Sequence, residues 1–401
     1  MRLWGILIAI GSLIGLFNST HAADKEFSPH RVIETRFYDG RYDVKFHKTS
    51  DGRNVIMALD PKRLNLIKFD LIEARILNEE RLVTNGKAPS VVTTMSSSSG
   101  EFWVAFARES RDGGRSIELH SDSRPEYFSI EDSSLPQELQ LVEVEDELLL
   151  VATYSNSATV FRRSEGRLEQ IAEIKSPSMH KAQAFVGKND NLIIATLADQ
   201  KVNGYELDRE YEDLVPRFSR KVSASFMEAT LGTNGEIVVA LVNTGKKGEF
   251  VQIFNEGSQR LSKPLQIKTN AGQIRWLKST SGQLRLTGFT TDKNNTSIYF
   301  INENGLERTV AAGDAKMISG LASIKVAKNN YVVYVKDQKD VYIQGDDAAS
   351  VIRAPQKARA IRLSSTGKID GDREVIAVMT DFDRSTRVQV IGFSRWREAK
   401  R

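Results

Sequence analysis

The sequence predicts an all-β protein, a β-propeller of about eight four-stranded blades, with seven as the alternative. Three observations predict it. A turn-plus-apolar-run motif recurs about every 45 residues, the period of propeller blades. Each run is too short for a helix and rich in β-branched or aromatic residues. No linker or low-complexity tract interrupts the series.

The motif is a turn rich in Gly, Asn or Asp followed by an apolar run with a small residue near its middle. The runs are Val55–Leu59, Phe102–Phe106, Leu148–Ala152, Leu192–Ala195, Ile237–Leu241, Leu284–Phe289, Tyr331–Val335 and Val375–Val378. The marker positions are 58, 105, 152, 195, 240, 288, 334 and 377, at spacings of 47, 47, 43, 45, 48, 46 and 43. Seven of the eight are Ala or Gly, and Tyr334 is the exception. A small side chain there lets neighbouring sheets approach closely.

A second strand follows each marker run, often alternating in polarity, as in Leu64–Phe69, Thr159–Phe161, Phe250–Phe254, Ser297–Ile301 and Arg387–Ile391. Another short strand precedes it, such as Tyr42–Phe46 or Gln183–Val186, and a more polar fourth closes most units. Four strands per period make a blade. Residues Arg31–Phe37 precede the first unit and are expected to supply a strand that completes the last blade, hiding two sheet edges. Ile72–Leu82 and Glu206–Leu214 carry charge pairs compatible with a helical turn, yet sit where an outer strand belongs.

Residues 1–22 read as a cleavable signal peptide. Arg2 provides the positive charge, Leu3–Phe17 is apolar apart from Ser12, and Thr20-His21-Ala22 is a small-x-small cleavage pattern. The apolar run is shorter than the ~20 residues of a membrane span; an uncleaved anchor is the alternative. Cleavage leaves residues 23–401 as a single propeller domain. The chain has no Cys, which excludes thiol catalysis, thiolate zinc sites and disulfides. Export without cysteine fits a periplasmic or secreted bacterial protein.

The repeat resembles β-propeller sequences in general, without the Trp-Asp, kelch or Asp-box signatures of particular families. Ile369-Asp370-Gly371-Asp372-Arg373-Glu374-Val375-Ile376-Ala377-Val378 resembles the acidic loop of FG-GAP-type repeats. In that family the loop binds calcium through spaced carboxylates. Thr233-Asn234-Gly235-Glu236 and Lys188-Asn189-Asp190-Asn191 offer too few oxygens for the six to eight that calcium takes, so a plain turn is the expectation.

No catalytic, cofactor-binding or metal-ligating set is assigned. His30, His47, His120 and His180 do not stand at metal-ligand spacing, and no nucleophile elbow or phosphate loop is present. The acidic clusters Glu143–Glu147 and Glu206–Asp213 read as solvated edges, and Trp103 and Trp276 as core. The net charge is +4, and residues 353–401 hold twelve Lys/Arg against six Asp/Glu. At the basic end, Arg395, Trp396, Arg397, Lys400 and Arg401 are candidates for contact with a partner or, peripherally, a membrane; Trp flanked by Arg suits either. The expectation is a monomeric, non-catalytic scaffold in the bacterial envelope with a protein partner, no cofactor and no nucleic acid. The alternative is an enzyme or carbohydrate-binding protein with a multi-blade site in the central funnel.

Overall fold

A computed structural model describes residues 27–395, apart from short breaks at 84–86, 209, 211, 246–247, 267–273, 279–283, 293–294, 303–304, 314–317, 327–328, 345–348, 354, 356 and 370–372. All regular structure among them is strand. The signal-peptide region and the acidic loop at 370–372 lie outside the described residues.

The first described strand is β1 (Phe27–Tyr38). The first blade is β2 (Asp43–Lys48), β3 (Asn54–Asp60), β4 (Asn65–Asp70) and β5 (Arg75–Arg81). The second is β6 (Val91–Ser96), β7 (Phe102–Glu109), β8 (Arg115–Ser121) and β9 (Arg124–Glu131). The third is β10 (Glu138–Val144), β11 (Glu147–Thr153), β12 (Ser157–Ser164) and β13 (Arg167–Lys175). One parallel bridge, Arg167 to Ser129, joins the second and third into a continuous sheet. The fourth is β14 (Met179–Val186), β15 (Leu192–Ala198), β16 (Lys201–Asp208) and β17 (Asp213–Lys221). In the fifth, β18 (Phe226–Leu231), β19 (Ile237–Gly245) and β20 (Gly248–Asn255) are followed by a broken outer strand, β21 (Arg260–Leu261) and β22 (Leu265–Gln266), both paired to β20. The sixth is β23 (Arg275–Lys278), β24 (Leu284–Asp292), β25 (Asn295–Asn302) and β26 (Gly305–Gly313). The seventh is β27 (Ile318–Val326), β28 (Asn329–Lys336), β29 (Asp340–Gln344) and β30 (Ala349–Arg353). The eighth has only β31 (Ala360–Ile369), β32 (Arg373–Phe382) and β33 (Ser385–Arg395) of its own, and β1 is its fourth strand.

That last pairing realises the closure expected from Arg31–Phe37. β1 runs antiparallel to β33 from Phe27 opposite Arg395 to Tyr38 opposite Ser385. The helical turns weighed for Ile72–Leu82 and Glu206–Leu214 give way to strands, because β5 and the β16–β17 hairpin complete their ladders as outer strands.

The chain divides into two compact units. One holds the first, seventh and eighth blades, and the other holds the second to sixth. Each core cluster within a unit draws on two successive blades. In the first unit, Ile56 and Ala58 meet Val375, Ala377, Val388 and Val390, while Ile376 and Val378 face the seventh blade's Val333 and Val335. In the second unit, Leu149 and Val151 pack toward the fourth blade, and Leu148, Leu150 and Ala152 toward the second. Adjacent residues of a strand point to opposite faces. A second strand buried on both faces is therefore apolar at nearly every position, which is why most marker runs are continuous; Arg285 and Thr287 interrupt the sixth.

The small markers sit where two sheets meet: Ala58 and Ala377 share one core, Ala105 and Ala152 another. Tyr334 is accommodated differently. Its ring stacks on Tyr342, its register partner on β29, at 5.3 Å, and its hydroxyl lies 3.3 Å from Gln344 Oε1. In the second unit, first strands of neighbouring blades are stitched by side chains. The Ala184 N–H donates to Gln140 Oε1 at 2.7 Å and the Ala229 N–H to Gln183 Oε1 at 2.6 Å.

Gly100, in the turn between β6 and β7, has φ +82°, and a Cβ there would stand 2.6 Å from Ser50 Cα and Thr49 C. Gly113 has a similar φ of +91° with open space around it. Gly100→Ala should therefore cost more than Gly113→Ala, which carries only the left-handed backbone penalty of roughly 1–2 kcal/mol. Urea unfolding of both variants checks this, and equal losses would show that the Ser50 segment simply moves away.

Candidate functional site

A cleft of about 570 Å3 opens in the first unit, where strand-connecting segments of the first and eighth blades come together. It is lined by Asp39–Arg41 after β1, Asp60, Lys62 and Arg63 at the β3–β4 turn, Arg359 and Ala360 at the start of β31, and Asp381–Arg384 at the β32–β33 turn. The β1–β33 ladder ends here and brings residue 39 beside residue 384. The Asp39 N–H donates to the Arg384 carbonyl at 2.7 Å. Gly40 is required for the approach, since a Cβ would stand 2.6 Å from Asp60 Oδ2 and 2.7 Å from the Tyr42 ring.

Charge is arranged in two layers. The deeper layer is carboxylate. Asp381 is buried and accepts from Arg362 twice, Nε to Oδ2 at 2.7 Å and Nη2 to Oδ1 at 2.8 Å. It also pairs with Arg41 Nε at 2.9 Å and accepts from the Thr386 hydroxyl at 3.0 Å. Arg362 further bonds Asp43 and donates to the Tyr42 carbonyl at 2.8 Å. Burial opposes the Arg362 charge, but the hydrogen bonds and charge of Asp381, then Asp43, outweigh it and hold its pKa above the ordinary value. Asp60, equally buried, accepts from the backbone N–H groups of Lys62 and Arg63 at 3.0 and 3.4 Å and so fixes its turn.

The outer layer is cationic. Arg41, Lys62, Arg63, Arg359 and Arg384 are all exposed at the mouth. Arg359 pairs with exposed Asp383. Lys62, Arg63 and Arg384 have no carboxylate within ion-pair distance among the described residues. Beside them Phe382 lies under the Arg36 guanidinium, 4.5 Å from the ring centroid, with Arg387 at 5.8 Å. Tyr38, 61% exposed, also meets Arg36, at 5.6 Å.

The second unit has further polar clusters among its described residues, and two of them bring groups together from within or between blades. First strands of successive blades bring Lys181 Nζ and Arg275 Nη1 to 3.3 and 3.4 Å from Glu228 Oε2. Glu138, on the preceding first strand, has its pKa raised chiefly by burial. These charges largely neutralise one another. On the second blade, Arg108 Nε lies 2.6 Å from Glu118 Oε1, and His120 Nε2 lies 3.4 Å from Oε2. The His120 ring is stacked between Phe106 and Tyr127.

Burial pushes the Glu118 carboxyl up, but the hydrogen bonds from His120 and Arg108 bring it net below the ordinary 4.5. A depressed carboxyl pKa adds stability above the unfolded value, and that stability is lost as pH falls through the folded one. Glu118→Gln should thus be less stable than the wild type at neutral pH and lose less between pH 5 and 3, measured by urea midpoints. Parallel curves for the two proteins would refute the assignment.

The described histidines stand on different strands. His30 lies on β1, His47 is buried on β2, His120 is in the stack, and His180 lies 3.2 Å from the Ser178 hydroxyl. Among the described residues, no three His, Asp or Glu gather to hold a metal. Trp103 is buried against Phe128, and Trp276 packs on the fifth-blade core with Nε1 donating to the Glu228 carbonyl at 2.7 Å. Glu143 faces the preceding blade's turn and accepts from the Ser98 N–H at 2.6 Å. It therefore ties two blades together as well as sitting at a polar edge.

Of the basic end, Arg395 closes β33 opposite Phe27, while Trp396, Arg397, Lys400 and Arg401 lie outside the described residues. Phe27 and the cleft mark opposite ends of β1, roughly 35 Å apart at ~3.3 Å per residue, so Arg395 stands away from the cleft.

The structures this chain is similar to share its blades. The Dos1 propeller matches 88% of this chain and 94% of its own length, at 10% identity and a TM-score of 0.55. The chain folds as a β-propeller. BBS1N, solved in complex with ARL6DN, matches 90% of this chain and 96% of its own at 10% identity and a TM-score of 0.51. The dihydro-heme d1 dehydrogenase NirN, in complex with DHE, matches 90% of this chain and 78% of its own at 10% identity and a TM-score of 0.56. No protein-family model and no curated protein sequence matches this propeller. The likeness carries the fold alone, and the fold hosts both binding proteins and enzymes.

Proposed function

We propose that this propeller is a monomeric, protein-binding scaffold of the bacterial envelope, exported by residues 1–22 and active as residues 23–401. One observation carries the reading. The buried carboxylates of the cleft are engaged inside the fold, Asp381 by Arg362, Arg41 and Thr386, and Asp60 by its own turn. What faces outward is a rim of Arg and Lys with Phe382 in its lining, and exposed Tyr38 precedes the lining residue Asp39 in the chain. Aromatic residues and Arg together are the composition of protein-binding hot spots. BBS1N, of similar fold, was solved with a protein partner. The basic end at Arg395–Arg401 offers a second contact surface, toward protein or membrane.

The test is in-cell photo-crosslinking of the signal-bearing chain, with the reactive residue at Tyr38, at Arg384 or at exposed Val215 on β17. The expected result is one envelope protein captured from Tyr38 and Arg384 and not from Val215. Equal yields at all three positions, or catalytic turnover by the purified protein on a defined substrate, would overturn it.

A further inference from the structure

The rim of this cleft also indicates what kind of partner it takes. From its geometry we infer that the cleft receives an acidic polypeptide segment, whose carboxylates dock on Lys62, Arg63 and Arg384 while an adjoining apolar or aromatic side chain lies against Phe382. This rests on the scaffold reading and adds the chemistry of the partner.

The argument begins with the charge left over. Of the four lining carboxylates, Asp381 and Asp60 are buried and engaged, and Asp383 is matched by Arg359. Only Asp39 remains at the mouth to offset Lys62, Arg63 and Arg384. Cations around a concave, low-dielectric wall concentrate anions and steer their arrival. The cations stand on two separate turns, one from each blade, around a space of about 570 Å3. That separation suits several anionic groups spread along a chain better than one compact phosphate. The flanking apolar element points the same way. Phe382 lines the cleft, and Arg36 and Arg387 clasp its ring and hold it in place. Rigid aromatic surface next to fixed guanidinium groups matches a polypeptide, which supplies charge and apolar side chains on one backbone.

The arrangement is preorganised. Asp60 fixes the turn that carries Lys62 and Arg63, and the Asp39–Arg384 backbone bond fixes the turn that carries Arg384. Little ordering is then left to oppose binding. Because the docking charges lie at the rim, they act mainly on the association rate and its salt dependence.

The test uses the mature protein and a fluorescently labelled peptide of alternating Glu and Tyr, followed by stopped-flow anisotropy. Binding is expected, weakened by salt. The exposed-site variant Lys62→Glu/Arg63→Glu/Arg384→Glu should slow association by about tenfold or more with an unchanged melting temperature. The peptide with Gln in place of Glu should not bind. Equal binding of the Gln peptide, or equal rates for the variant, would overturn the inference. So would displacement of the peptide by inorganic phosphate or by phosphatidylglycerol vesicles at matched anion concentration, which would reassign the cleft to phosphate or lipid. A crosslinked partner captured from Tyr38 together with failure of the acidic peptide would sink this inference and leave the scaffold reading standing. Peptide binding without a cellular crosslink would do the reverse.

Discussion

Asp381→Ala will lower the stability of the propeller by about 3–5 kcal/mol, the cost of stranding a buried partner charge. Arg362 is mostly shielded from solvent, and two of its hydrogen bonds go to Asp381, at 2.7 and 2.8 Å. Removing the carboxylate leaves that guanidinium with exposed Asp43 and one carbonyl. The Thr386 hydroxyl also loses its acceptor, and Thr386 Oγ1 is what receives the Tyr42 N–H at 3.1 Å. The damage therefore runs from the eighth blade into the first.

The paired replacement separates this from simple loss of packing. Asp381→Leu/Arg362→Met removes both charges together, and such swaps are often neutral where single removals are severe. The double variant should recover most of the loss seen in Asp381→Ala, measured as the shift in urea midpoint at constant slope. Two single effects that merely add in the double variant would mean that the pair is not coupled. Asp381→Asn should fall between, since it keeps an acceptor for Thr386 and gives up the charge.

Much of the architecture was legible because propeller blades impose a severe constraint on one strand per period. Residues such as Leu148 to Ala152 face alternately into two different cores, so polar residues are few and the run stands out. The extra strand Arg31–Phe37 was legible from length: eight units of ~45 residues leave a surplus at the start of the chain, and β1 is what that surplus forms. Tyr334 shows the limit. Its size is visible as a break in the pattern, but the stack on Tyr342 that absorbs it depends on register. The cleft was not legible. Lys62, Arg63 and Arg384 are ordinary turn residues, and Asp381 resembles any acid at a strand end. They become a site only when β1 pairs with β33 and residues more than 300 positions apart share a wall. Asp-plus-basic turns in the first and last units were the available signal, and only closure gives that signal meaning.

That closure has its own consequence at Phe37. This side chain is 1% exposed and projects from β1 into the core shared by the first and eighth blades. Its ring meets Tyr42 at 5.5 Å and Phe69, edge-on, at 6.1 Å. Phe37→Ala should cost about 3–5 kcal/mol, as large aromatic truncations in packed cores do. Val32→Ala on the same strand, where the side chain is 43% exposed, should stay within about 0.5 kcal/mol. The larger effect lies in how the loss is distributed. β1 is held by its ladder to β33 and by this anchor, so weakening the anchor releases the strand and bares the β33 edge, a template for aggregation. Amide exchange at β33 in Phe37→Ala should then rise well above that of β15 in the second unit, with concentration-dependent scattering on mild heating. If β33 and β15 instead lose protection equally, the protein opens as one cooperative body, and β1 is one wall among many rather than the latch.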